Sequence, residues 1–366
     1  MQTTLPLRWL SASITLIAGL MMGGCALNHG TIGGQSAAAS ATTAGRQASD
    51  LKPALIMEEF RIPSADPGID LFVRNRRPAG VERFNSDRIV LFVHGATYPS
   101  ETGFDIPLPG GSWLEYVASR GFDAYLVDVR GYGGSTRPPA MNQPPAANPP
   151  FADTADAVRD VAAAVDFIRQ RRGVAQINLV GWSWGTAIMG TYTASNNQKV
   201  RKLVLYAPLY VMRSAPPISG LGAYRSVERE AARQRGIRGI PADRVEEISP
   251  RAWFDQWFDA NLASDPEGAR QTPPVVRAPN GVLKDIGEYW SRGRSPYDPA
   301  DIRVPTLLII AEWDQDTPLY MAQEILPKLV NSPDRRLVIL GEGTHAVALE
   351  KHRMRLIGDV QHFLEQ

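Results

Sequence analysis

The stretch INLVGWSWGTA, Ile177–Ala187, decides how the rest of the chain is read. Its opening INLVGW is almost wholly apolar, as expected of a strand buried on both faces. The residues that follow, GTAIMGTYTAS, read as a helix. Between the two, Gly181-Trp182-Ser183-Trp184-Gly185 forms G-x-S-x-G. That pattern carries weight only between a strand and a helix, which is where it stands. A turn this sharp holds its central residue in a strained backbone conformation, and side chains at the flanking positions would strike neighbouring backbone, hence the glycines. Ser183 is therefore expected to project above the strand ends as a nucleophile. The N–H of Trp184 would point at the oxygen of a reacting carbonyl.

Working outward, short apolar runs alternate with longer amphipathic ones from Leu55. LIMEEFRIPS and IDLFVRNRRP read as strands joined by a turn at Asp66-Pro67-Gly68. RIVLFVHG is a buried strand, GSWLEYVASRG a helix stopped at Gly121, and FDAYLVDVRGYGGS a strand with a glycine loop. DTADAVRDVAAAVDFIRQRRG is the clearest helix, capped by Asp153 and ended by Gly173. VRKLVLYAP, PTLLIIAEWD and RRLVILGEG add strands, with helices at YMAQEILPKLV and through HRMRLIGDVQHFLEQ. Such alternation means an α/β fold: a mostly parallel sheet with helices on both faces. The rhythm breaks over residues 210–299, which are rich in Arg, Pro, Trp and Tyr and show helical stretches but no strong strand. That block is too long for an ordinary loop and reads as an insertion.

A serine hydroxyl needs a base. Of the five histidines, His29 lies in a polar N-terminal stretch, His94 ends a strand, and His352 and His362 lie in the last helix. His345, in GEGTHAVALE after the last strand, is left, on the side of the sheet where the strand C-termini gather. The base in turn needs an acid, and IIAEWDQDTP offers Glu312, Asp314 and Asp316. Asp316, before Thr317-Pro318, suits the start of the next helix.

The order Ser, Asp, His with the elbow and the alternating pattern resembles the alpha/beta-hydrolase superfamily, over about Leu55 to the C-terminus apart from the insertion. The resemblance implies an eight-stranded, mostly parallel sheet and a helical cap formed by residues 210–299, with the core in two parts, 53–209 and 300–366. It points to Asp314 as the acid, since VPTLLIIAEWDQDTP is similar to the strand and turn that carry it. VLFVHGATYPS resembles the oxyanion loop of the superfamily, which makes the Ala96 N–H the second oxyanion donor, with Thr97 as a substitute, and His94 a structural support. DVRGYGGS resembles a scaffold loop carrying Asp128, Arg130, Gly131, Gly133 and Ser135. Cap aromatics, among them Tyr210, Trp253 and Trp257, are candidates for lining an apolar substrate pocket; the competing reading is that they fasten cap to core. Arg225–Arg251 holds seven arginines against five acids and reads as a solvated helix face. RPPAMNQPPAANPP could wall the entrance or be a passive loop.

The implied chemistry is ester hydrolysis through an acyl-enzyme, on a small-molecule acyl substrate, with no cofactor and no metal. The elbow also resembles that of proline iminopeptidases, which would require cap carboxylates such as Glu228, Glu230 or Glu288 to bind a free amino terminus. Carbon–carbon hydrolases and perhydrolases share the triad, and a non-catalytic binding protein on the same fold is the alternative from another class.

Before the fold, WLSASITLIAGLMMGG follows Arg8 and reads as an export signal over residues 1–24. LMMGGC resembles a bacterial lipobox, which implies lipid attachment at Cys25, the only cysteine, and a membrane-anchored place in the cell envelope; an ordinary secretory signal is the alternative. Residues 25–52 read as a flexible tether. With a formal net charge of +1, nothing points to nucleic acid. The sequence assigns no oligomeric state.

Overall fold

The computed structural model describes residues 54–214, 218 and 220–366. The export signal, Cys25 and the tether lie outside the described residues. Among the described residues no helix is long and apolar enough to cross a membrane.

Among the described residues ten strands form in chain order: β1 (Leu55–Pro63), β2 (Asp70–Pro78), β3 (Ile89–Val93), β4 (Asp123–Val127), β5 (Ile177–Trp182), β6 (Val200–Tyr206), β7 (Tyr224–Glu228), β8 (Val275–Pro279), β9 (Thr306–Ala311) and β10 (Arg335–Leu340). Eight make one sheet in the order β1-β2-β4-β3-β5-β6-β9-β10. β1 and β2 are an antiparallel hairpin in register from Leu55↔Pro78 to Pro63↔Asp70, and β2 joins β4 antiparallel. All remaining pairs of this sheet are parallel, so β3, β4, β5, β6, β9 and β10 end on one rim.

Alternate residues of the central strands feed two apolar layers. Leu91, Val93, Leu179, Leu203 and Leu205 face the helix Thr154–Arg172 and the helix Trp184–Ser195. Val90, Phe92, Val180 and Val204 face the helix Trp113–Ser119 and the terminal helix Arg353–Glu365. Each fully buried aliphatic side chain contributes roughly 1.5–3 kcal/mol, so the two layers dominate the stability of the sheet. Local signals set the helix ends. Ser112 and Glu115 close a capping box, Asp153 accepts from the Asp156 N–H, and Gly173 ends its helix at φ 65°.

The insertion departs from the expectation of a purely helical cap. Around its helices Arg229–Gly236, Arg251–Ser264 and Gly281–Glu288, β7 and β8 pair antiparallel, from Tyr224↔Pro279 to Glu228↔Val275. Both strands carry arginine, which hides them in a hydropathy pattern. Arg277 is buried against Asp265 at 2.7 Å and donates to the Met141 carbonyl. The proline-rich loop therefore neither walls the entrance nor lies passive. Its carbonyls at Met141, Gln143 and Pro145 accept from Arg277, Tyr224 and Ala223, and so carry the cap sheet. Near the end of the insertion, Trp290 and Tyr297 pack in the main core layer.

Candidate active site

The parallel rim gathers the residues singled out in the sequence. β5 ends at Trp182, and Ser183 follows at φ 57°, ψ −119°, before the helix Trp184–Ser195. This backbone region costs a non-glycine residue roughly 1–3 kcal/mol, and the surroundings enforce it. The Ser183 N–H donates to the Tyr206 carbonyl (2.9 Å), and the Ser183 carbonyl accepts from the Thr186 N–H (2.9 Å) and hydroxyl (2.5 Å). The flanking glycines are required by close approach. A Cβ at Gly181 would lie 2.4 Å from the Gly185 carbonyl oxygen, and one at Gly185 would lie 2.6 Å from that of His94.

His345 stands in the loop after β10 with its Nδ1–H donating to Asp314 Oδ2 at 2.8 Å. Asp314 follows β9 and its side chain is buried. Its Oδ1 accepts from the Asp316 N–H (2.9 Å) and the Thr317 N–H (2.8 Å), and Oδ2 also accepts from the Thr317 hydroxyl (2.9 Å). Both carboxylate oxygens are thus held as acceptors. Burial opposes a charge on His345, but Asp314, through its charge and its hydrogen bond, and Asp316 outweigh it, with Arg235 opposing in part; the pKa lies above the ordinary 6.5. Ser183, His345, Ala96 and Trp182 line one cavity.

Two residues not anticipated fix the histidine loop from the sheet. The Trp182 indole N–H (3.2 Å) and the Tyr206 hydroxyl (2.8 Å) both donate to the His345 carbonyl, and their rings stack with centroids 5.5 Å apart. Both are aromatic residues at strand C-termini, the one signal that marked them. Glu350, also buried, braces the same loop by accepting from the Thr344 N–H, with its other oxygen against the Thr344 hydroxyl. Burial pushes the Glu350 carboxyl up to about 7, against the pull of those Thr344 bonds.

Neither the Ala96 nor the Trp184 backbone N–H is taken up by a hydrogen bond among the described residues, and Trp184 opens its helix, where such groups lack helical partners. The Trp184 side chain itself is buried, donating to Thr154 at 2.9 Å. His94 is buried beneath the Ala96 loop. Its Nδ1–H donates to the Gly95 carbonyl (2.6 Å), its Nε2 accepts the Val129 N–H (3.2 Å), and burial lowers its pKa to about 4. It is a neutral strut, as expected. Thr97, at φ 95°, has its hydroxyl occupied by Arg225 at 2.6 Å. Asp128 accepts from the Ser100 and Gly134 N–H groups, Ser135 donates to the Asp128 carbonyl, and Arg130 pairs with Asp160 at 2.6 Å, all scaffold.

Of the aromatic candidates, Trp253 and Trp257 line the cavity, with Trp257 edge-on to Tyr98 at 4.5 Å. Tyr210 does not. It is buried in the main core layer with its hydroxyl accepting from Lys328 at 3.2 Å, because the chain leaving β6 packs onto the helix Tyr320–Ile325 before it enters the cap. Asp316 does not cap that helix either; it pairs with Arg235 and Arg238 of the insertion. The arginine-rich segment is accordingly not all solvated, since Arg233 and Arg235 line the cavity. Glu228, Glu230 and Glu288 are not among the lining residues, and Glu230 is exposed and paired with Arg251.

A serine in a tight turn between β5 and its helix, a carboxylate after β9 and a histidine after β10 stand on the parallel rim of a sheet with the alpha/beta-hydrolase fold. The family model described as alpha/beta hydrolase fold matches residues 88–238. Solved structures similar to it include a serine hydrolase from the polyaromatic hydrocarbon-degrading bacterium Cycloclasticus zankles (16% identity, 84% of this chain and 98% of that one, TM-score 0.55). A thermophilic esterase from Thermogutta terrifontis aligns at 17% identity (84% and 98% covered, TM-score 0.54). A 2-hydroxy-6-oxo-6-phenylhexa-2,4-dienoate hydrolase from a Rhodococcus strain aligns at 16% (86% and 100%, TM-score 0.54). At these identities the likeness is one of fold.

Proposed function

We propose that the protein is a serine hydrolase that cleaves a carboxylic ester through an acyl-enzyme. The observation that carries this reading is a strained serine sharing one cavity with a histidine whose far ring nitrogen is bound to a buried carboxylate. His345 Nε2 takes the Ser183 proton as the serine oxygen attacks the ester carbonyl, and Asp314 stabilises the imidazolium. The N–H groups of Ala96 and Trp184 receive the oxyanion. The alcohol leaves with the proton from His345; water, deprotonated by the same ring, then attacks the acyl-enzyme and frees the acid. Ser183→Ala is expected to abolish turnover of aryl esters and labelling by a fluorophosphonate while the circular dichroism spectrum is kept. Persistent labelling or turnover in that variant refutes the assignment.

Cleavage of a carbon–carbon bond is the second reading, supported by the similarity to the Rhodococcus hydrolase. An aminopeptidase reading is weaker, because Glu228, Glu230 and Glu288 do not line the cavity. We further propose export to the cell envelope with a lipid on Cys25. Mass spectrometry of membrane-fraction protein, with and without Cys25→Ser, tests it; an unmodified, soluble Cys25 protein rejects it.

A further inference from the structure

The cavity holds one arginine that makes no ion pair among the described residues. Arg233, in the insertion, is 5% exposed and lines the same cavity as Ser183 and His345. It forms no ion pair among the described residues, whereas its neighbours Arg229, Arg235, Arg238 and Arg251 all do. Two of its five N–H bonds go to Ser249, one to the hydroxyl (2.8 Å) and one to the carbonyl (2.7 Å), and Phe254 lies beneath the guanidinium at 5.4 Å. Burial of a guanidinium without a direct ion pair is costly, and burial pulls its pKa down from the usual value, with Arg251 adding to the pull and the more distant charges of Glu246, Glu230 and Asp255 opposing it in part. Neither carboxyl in the cavity pairs with it directly: Asp316 holds Arg235, and Glu350, though near enough to feel the charge of Arg233, is bonded to Thr344. Much of the rest of the lining is apolar, with Ala232, Trp253, Phe254, Trp257 and Leu349.

Resting on the ester-hydrolase reading, we propose that the substrate carries a carboxylate, and that Arg233 receives it as its direct ion-pair partner. A planar fork of donors above an aromatic face suits a carboxylate. Arg233 is then the residue that selects among esters, and Ser249 positions it.

The experiment compares two pairs of esters with the full chain. In the first, the acyl side is varied: p-nitrophenyl hydrogen glutarate against p-nitrophenyl 5-oxohexanoate, which replaces the carboxylate by a methyl ketone. In the second, the leaving group is varied: 4-acetoxybenzoate against 4-acetoxyacetophenone. One pair is expected to favour the anionic member by about tenfold or more in kcat/KM, chiefly through KM, as a charge-assisted hydrogen bond provides. That preference should collapse in Arg233→Met and return in part in Arg233→Lys. Neutral esters turned over with no anionic preference in either pair overturn the inference and leave the hydrolase reading standing. So does a parallel loss on both members in Arg233→Met, the mark of a purely structural arginine. If no ester is turned over and Ser183 is not labelled, the hydrolase reading fails. Calorimetric titration with glutarate then judges Arg233 alone: saturable binding that Arg233→Met removes supports the inference, and absent binding overturns it.

Discussion

Replacing Asp314 by asparagine tests the geometry of the site more sharply than removing it. Asp314 Oδ1 accepts two backbone N–H groups, those of Asp316 and Thr317, so an asparagine must place its carbonyl oxygen there. Its amide nitrogen is then forced to the position of Oδ2, 2.8 Å from His345 Nδ1. Two donors would face each other unless His345 takes the other tautomer, with its proton on Nε2. That nitrogen can no longer accept from Ser183. The loss in kcat for such a tautomer trap is on the order of 10⁴. Losing the negative charge should also lower the His345 pKa, since Asp314 is the main group holding it up against burial. Both backbone hydrogen bonds survive, so thermal stability should change little. The assay is aryl ester hydrolysis across a pH series, with thermal unfolding as the control for folding. A variant retaining more than about a tenth of parental kcat, with an unshifted pH profile, would refute the pairing of Asp314 with His345.

Further outcomes are expected of the parent and of two variants. The rate requires neutral His345, so it should rise with pH about a midpoint above 6.5, because the net effect of Asp314 and Asp316 raises that pKa; a midpoint below 6.5 counts against the base. Gly185→Ala places a Cβ 2.6 Å from the His94 carbonyl oxygen and 2.7 Å from that of Val93, and should cost about 1–3 kcal/mol in denaturant unfolding. Glu350 is raised to about 7 from 4.5 in the folded chain, so the unfolded chain loses its proton first. Its contribution to stability is complete below pH 4.5 and is lost as pH rises through about 7. Glu350→Gln should therefore gain on the parent over that window, by on the order of 3 kcal/mol at most; a difference in stability that does not vary with pH would contradict the shift.

What the sequence made legible is what local chemistry imposes. A glycine-framed serine between an apolar run and a helix needs no tertiary knowledge, and neither does the alternation that put the residues after β5, β9 and β10 on one rim. The cap resisted because its folding is relational. β7 reads YRSVE, in which Tyr224 alone is fully buried, and β8 carries Arg277, which is buried against Asp265. Asp316 looked like a helix cap because a Thr-Pro follows it; two arginines some eighty positions away in sequence claim it instead. Tyr210 failed for a similar reason, since the partner that draws it inward, Lys328, belongs to a later helix region. Arg233 is the converse: as one of many arginines in a polar helix it was invisible until its burial and its want of a direct ion pair among the described residues were seen.

The hydroxyl of Thr344 has one proton and two neighbours that want it, the Gly236 carbonyl of the insertion and the Glu350 carboxyl. A protonated Glu350 resolves the contest, because it can donate to the threonine oxygen and leave the threonine hydrogen for Gly236. An ionised Glu350 must compete for that hydrogen, and one contact is surrendered. A rise in pH through about 7 thus reaches the joint between the insertion and the histidine loop through the ownership of a single hydrogen atom.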